Sequence, residues 1–98
     1  MEFYARVVRA EGHVLLSACD SSLLGKTFRE GDVILDVSAD YYGRELVGAD
    51  RLREMLKDAT IINLVGDGAI SVAEEMGLCN MSDAKRVQGV PHLNIYYI

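Results

Sequence analysis

The sequence predicts an α+β domain, with a mixed or largely antiparallel sheet and two main helices packed on one face. Three features predict it. Alternation marks strands, most clearly where Val33, Leu35 and Val37 share one side while Asp36 and Ser38 take the other. Leu52, Met55, Leu56 and Ala59 recur at helical spacing, as do Ala69, Val72, Ala73 and Met76. Between those two helices stands Thr60–Val65, rich in β-branched residues and read as a buried strand.

The elements follow in order. Phe3–Ala10 and Val14–Cys19 read as strands joined by a hairpin-length turn, Glu11-Gly12-His13. Asp20 to Gly25 has the form of one helical turn, with Asp20 as N-cap and Gly25 as stop. Gly25 to Asp32 is read as loop, and Val33–Ser38 as strand. Tyr41-Tyr42-Gly43-Arg44 makes an aromatic and basic bend. Two adjacent aromatics in extended chain face opposite ways, so at least one belongs to the core. Glu45-Leu46-Val47 forms a short strand. Asp50 opens a helix through Asp58, and Asp67 caps the next, leaving Glu74 and Glu75 in solvent. Gly77 followed by Leu78 suits a left-handed C-cap. Lys85–Gln88 is a further strand. Pro91 holds Val90 extended at the entry to a last strand, where Leu93, Ile95 and Tyr97 alternate with His92, Asn94 and Tyr96.

Composition sets bounds. The chain has 98 residues, half of them hydrophobic, which suits a single domain over 1–98 with its own core. No apolar run approaches the ~20 residues a membrane helix needs, and Met1-Glu2-Phe3-Tyr4-Ala5-Arg6 lacks signal-peptide character. A soluble cytoplasmic protein without a membrane partner is expected. Net charge is −5, and most of the acid lies beyond residue 30. Arg6, Arg9, Lys26 and Arg29 balance Glu2, Glu11, Asp20 and Glu30 before that point. Non-specific nucleic-acid binding rests on a basic footprint, so the overall charge argues against it. A local patch at Lys26 and Arg29 is compatible with it.

The candidate chemistry is sparse. Leu23-Leu24-Gly25-Lys26-Thr27-Phe28-Arg29-Glu30-Gly31-Asp32 packs glycines, cations and polar groups between two strands, as binding loops do. Gly25-Lys26-Thr27 resembles the tail of a P-loop. That motif needs glycine at the place of Asp20 and a helix starting at the lysine, and both are missing. Simple anion binding by the loop amides, Lys26 and Arg29 fits better, against the plainer reading of a solvated loop. Cys19-Asp20 makes a poor nucleophile, because a neighbouring carboxylate raises a thiol pKa. Cys19, Cys79, His13 and His92 have no zinc-like spacing, so reduced thiols and neither metal nor cofactor are expected. Gly89-Val90-Pro91-His92 is either a rigid strand entry or a device presenting His92 at a surface. Tyr41 and Tyr42 beside Arg44 suit stacking or protein docking, with core burial of one as the plainer role. Asp50 and Asp67 are most economically helix caps.

Together these segments resemble an archaeal family known only as a domain of unknown function, DUF424. The resemblance rests on Ala18-Cys19-Asp20, Leu24 to Asp32, Tyr42-Gly43, Ala59–Gly66 and Gly89-Val90-Pro91-His92. It implies an archaeal cytoplasmic protein, no known reaction, and a tilt towards the translation machinery. The shared motifs favour one face built from Gly25–Asp32, Tyr42-Gly43 and Val90–His92, and the candidate anion- or partner-binding residues are Gly25, Lys26, Thr27, Arg29, Tyr42, Arg44 and His92.

The leading expectation is a non-enzymatic binding module with a protein or ribonucleoprotein partner, using no catalytic residue, metal or cofactor. One alternative is a small enzyme or metabolite- and anion-binding protein built on the Gly25–Asp32 loop and His92. Another is a self-associating structural protein, which leaves a homo-oligomer open. If the loop charges belong to a surface, Lys26→Ala with Arg29→Ala changes the denaturation free energy by no more than about 0.5 kcal/mol. A larger loss in urea titration makes those charges structural.

Overall fold

The computed structural model describes residues 1–97; residue 98 of the expected domain lies outside the described residues. The elements are β1 (Glu2–Ala10), β2 (His13–Asp20), β3 (Thr27–Glu30), β4 (Val33–Asp36), α1 (Ala39–Tyr42), β5 (Glu45–Gly48), α2 (Ala49–Asp58), β6 (Ile61–Val65), α3 (Asp67–Glu75), β7 (Lys85–Val87) and β8 (Val90–Tyr96). Short 3-10 turns lie at Ser21–Leu23 and Met81–Asp83. Six strands form a mixed sheet in the order β5-β1-β2-β6-β8-β7, and β3-β4 form a separate hairpin. The β2–β6 pair is parallel and the other pairs are antiparallel. The α+β class read from the sequence is the one observed.

Two tight turns fix the register. Glu11-Gly12 and Gln88-Gly89 have positive φ at both residues, 51° and 79° in each case. That is the type I′ signature matching strand twist, and it pairs Ala10 with His13 and Val87 with Val90. Non-glycine residues rarely accept this conformation, which is why the glycine follows each of them.

On one side of the sheet, Phe3, Leu16, Ala18, Ile62 and Leu64 meet Leu52 and Leu56 of α2 and Ile70 and Ala73 of α3. Each fully buried side chain of this size contributes about 1.5–3 kcal/mol. Of the expected stripe of α3, Ala69, Val72 and Ala73 are buried, as are Gly68 and Ile70, while Met76 is half-buried just past the helix end. At its end Gly77 N–H donates to the Glu74 carbonyl at 2.9 Å and Leu78 N–H to that of Ala73 at 3.0 Å, a Schellman closure. The other side of the sheet carries a second, smaller core. There Cys19 and Val65 meet Leu35, Val37, Tyr42 and Val87, with Phe28 packed against them.

Several local expectations are corrected. Thr27–Glu30 is a strand, not loop, because it pairs residue for residue with β4. The aromatic bend is instead the single-turn helix α1, which Gly43 ends at φ 89°. Val33 is 56% exposed, since it lies at the hairpin tip, and the strand stops at Asp36. The last strand starts at Val90, so Pro91 lies within it. Pro91 is fully buried and its carbonyl accepts from Gly66 N–H at 2.9 Å.

The largest correction concerns helix capping. Asp20 makes no side-chain cap to the turn that follows it, and Asp67 is the first residue of α3 rather than its cap. The Asp20 carboxylate instead accepts from the N–H groups of Gly68 at 3.1 Å and Ala69 at 2.8 Å. It thereby satisfies two open donors of α3 from another strand. Removing such an acceptor costs about 1–2 kcal/mol. Asp20→Ala is therefore expected to lower the urea midpoint by that equivalent, with Asp20→Asn less damaging. An unchanged Asp20→Ala midpoint overturns the role given to this carboxylate.

Candidate functional site

The sheet register sorts the side opposite α2 and α3 into three cross-strand rows. Tyr4, Cys19, Val65, His92 and Lys85 form the first. Arg6, Ser17, Asn63 and Asn94 form the second, and Val8, Leu15, Ile61 and Tyr96 the third. Cys19 and Val65 in the first row are fully buried in the second core. Coverage ends at the second row. Tyr42, buried in α1, donates its hydroxyl to Asn63 Oδ1 at 2.6 Å, and Asn63 Nδ2 donates to the Tyr41 hydroxyl at 3.4 Å. The two tyrosine rings meet edge-on at 5.0 Å.

Beyond Tyr41 the sheet is a shelf. Tyr41 is 47% exposed at its rim and Tyr96 62% exposed on its floor, with Arg6 and Asn94 also exposed. Val8, Leu15 and Ile61 are half-buried between them. A small cavity of 60 Å³ runs under Tyr41, lined in part by Arg6, Ser17 and Asn63. No residue of the second or third row is acidic. Arg6 forms no ion pair among the described residues, whereas Arg44 is held by Asp40 at 3.1 Å.

The residues singled out in the sequence are only partly brought together. Gly25 turns with φ 85° and bonds to the Val37 carbonyl at 2.7 Å, leaving Lys26 exposed. Thr27 donates to Asp36 at 3.2 Å, and Arg29 is exposed opposite Ile34. The hairpin is tied to the sheet where Gln88 N–H donates to Glu30 Oε1 at 2.9 Å. Tyr42 is spent on the core and on orienting Asn63; burial pushes its phenol well above the ordinary range, with Tyr41 and Cys19 adding to this. The cleft of 730 Å³ at the outer edge of β1 is lined by Arg6, Arg44, Arg51 and Met55, among others, and by neither Lys26 nor His92.

Arg6, Ser17, Asn63, Asn94 and Tyr96 were not singled out by sequence reasoning. One signal pointed to them. Ser17 and Asn63 each interrupt an otherwise apolar strand, and the fold pairs them directly. As for reactive groups, burial, with a smaller push from Asp20, raises the Cys19 thiol to about 11, against a hydrogen bond from the Tyr4 backbone. Cys19 is thus protonated and inert at neutral pH.

The chain belongs to the family described as "Protein of unknown function (DUF424)", which matches residues 8–98. Among solved structures it is similar to an uncharacterized conserved protein from Methanopyrus kandleri. The identity is 25% and the TM-score 0.84, over 100% of this chain and 93% of that one. No curated protein matches the chain.

His92 carries a testable consequence of its burial. Its Nε2 is buried without a hydrogen-bond partner among the described residues. Burial, and secondarily the charge of Lys85, hold its pKa below the ordinary value of 6.5. The folded protein therefore binds fewer protons here than the unfolded chain between the folded pKa and about 6.5. Stability is complete above that window and falls as pH drops through it. Urea titration at neutral and mildly acidic pH is expected to show a smaller acid loss in His92→Gln than in the wild type; equal losses overturn this.

Proposed function

We propose that this protein is a non-enzymatic binding module that docks on an anionic partner, as an accessory of a ribonucleoprotein such as the translation machinery. The observation that carries this reading is the shelf. A chain of net charge −5 leaves one end of a sheet face uncovered and puts no carboxylate in its two rows. Charge segregated this way favours a partner of opposite sign and discourages indiscriminate association.

Beside it, Arg44 shares the β1 cleft with Arg6, together with Asp40, which pairs with Arg44, and Glu45; Lys26 and Arg29 are exposed on the β3–β4 hairpin. Tyr42 and Gly43 act behind this surface. A side chain at Gly43 would meet the Ala5 carbonyl at 2.6 Å and Arg6 Cβ at 2.9 Å, so glycine lets α1 lie against β1 beside Arg6. Cys19 is protonated, and Asp20 is bound to the α3 amides.

A second reading, anion or metabolite binding, draws on the unpartnered Nε2 of His92 beside Lys85 in the first row. Co-purification of tagged protein from a native lysate, with and without nuclease, separates the two. Ribonucleoprotein components are expected with the wild type and are lost with Arg6→Glu plus Arg44→Glu. A partner-free protein, or capture indifferent to charge reversal, overturns docking and leaves the His92 reading.

A further inference from the structure

We infer that the shelf takes a single-stranded segment of nucleic acid, its bases stacked on Tyr96 and Tyr41 and a backbone phosphate on Arg6. This rests on the docking reading above and names the class of its ligand.

Three properties of the shelf point to exposed bases rather than to phosphate or carboxylate alone. Its exposed large side chains are aromatic: Tyr96, 62% exposed, and Tyr41, 47% exposed. Base stacking on aromatic side chains tolerates any sequence, because every base has a π-face. Beside Arg6 and the buried Ser17, its polar side chains are the amides Asn63 and Asn94. Asn94 is exposed and makes no side-chain hydrogen bond among the described residues, so it keeps a donor and an acceptor for a base edge. Asn63 is oriented by Tyr42 at 2.6 Å, which fixes its acceptor and leaves its amide nitrogen facing the Tyr41 rim. The floor from β1 to β8 spans four strands, about 14 Å at the usual strand spacing. Sheets of that width with surface aromatics stack two or three bases.

Competing occupants fit less well. An acidic peptide is matched by several spread cations, and the two rows hold Arg6 as their one strong cation. A duplex hides the base faces that Tyr41 and Tyr96 would contact, and on a flat floor it would meet Arg6 with phosphate only. The −5 net charge opposes long-range attraction, so affinity comes from short-range stacking and one or a few phosphates.

Fluorescence anisotropy with labelled oligouridine and oligoadenine, single-stranded and annealed, tests this with the whole chain. Single strands are expected to bind better than the duplex. Tyr96→Ala is expected to lower affinity roughly tenfold, while Tyr96→Phe retains it. Arg6→Gln is expected to weaken binding and to reduce the salt slope by about 0.7, one phosphate's worth for a single strand. Urea midpoints unchanged from wild type certify that the variants are folded. Tyr96→Ala without effect, or duplex binding equal to single-strand binding, overturns the stacking site. If Arg6→Gln still weakens binding in that case, anionic docking stands without it. A glutamate-rich peptide binding as well as the oligonucleotides assigns the shelf to an acidic protein and overturns the nucleic-acid inference. If neither probe binds at low salt, the single-strand inference fails, and the co-purification result decides the docking reading separately.

Discussion

The bond from the Asp20 carboxylate to the start of α3 is the constraint on which the rest of the structure turns. It joins residues 48 and 49 positions apart and sits where both faces of the sheet are decided. On one side it anchors α3, so that Ala69 and Ile70 come down on Leu16 and Ile62 in the main core. At the same point the chain leaves β2, turns through Ser21–Leu23, and begins the hairpin that covers the other face. Two glycines make room for it. A side chain at Gly66 or Gly68 would run into the Asp20 carboxyl group, and at Gly68 also into Met1. Burial pushes this carboxyl above the ordinary range and Asp67 adds to that, while the Gly68 and Ala69 N–H groups pull the other way. The glycine-rich start of a helix is often where proteins hold phosphate. Here the protein's own carboxylate fills that place, and the exposed surface lies on the opposite side of the sheet.

That surface is a product of unequal coverage. Two amphipathic helices blanket one side of the six-stranded sheet, while among the described residues the opposite side is covered by the turn at Leu23 and Leu24, a short hairpin and a single-turn helix. The hairpin and α1 are long enough to seal the first cross-strand row and stop at the second. Tyr42 marks the boundary, with its ring in the core and its hydroxyl on Asn63. An asparagine in the middle of a central strand must be satisfied when covered. Both partners come from the cover, the Tyr42 hydroxyl on its oxygen and the Tyr41 hydroxyl, at the exposed rim, on its nitrogen. The same residue therefore closes the core and begins the shelf.

Much of this was legible in the sequence, and the parts that were not share a cause. Periodicity located α2, α3 and the long strands, and the Gly77–Leu78 stop was read correctly because a Schellman closure is wholly local. The burial of one tyrosine of the pair followed from geometry, and it is Tyr42. β3 was missed because Thr27-Phe28-Arg29-Glu30 has a single apolar residue, and its strand character comes from pairing with β4. Asp20 was assigned to the nearest helix start by a local rule, while its partners lie across the sheet. The shelf was invisible for the same reason: Arg6, Ser17, Asn63 and Asn94 are unremarkable alone and become a row only through register. The Gly25-Lys26-Thr27 loop drew attention through composition, yet much of its composition serves the turn and the hairpin.

The acidity of the chain and a shelf whose two rows hold one arginine and no carboxylate are two parts of one arrangement. Of the acidic residues after position 30, Asp58, Asp67, Glu54 and Glu75 pair with arginines on the edges and on the helix side, among the six ion pairs of the described residues. Such exposed pairs add little stability, about 0–1 kcal/mol each. Their effect is on the field: they neutralise arginines that would otherwise make other faces attractive to anions. Among the described residues Arg6 has no ion pair, and it lies on a face whose floor offers aromatic and amide groups. Under the docking reading proposed above, a partner bearing phosphates meets Arg6 where stacking and amide groups lie beside it. Specificity for a site does not require strong binding at it, only that every other orientation be worse.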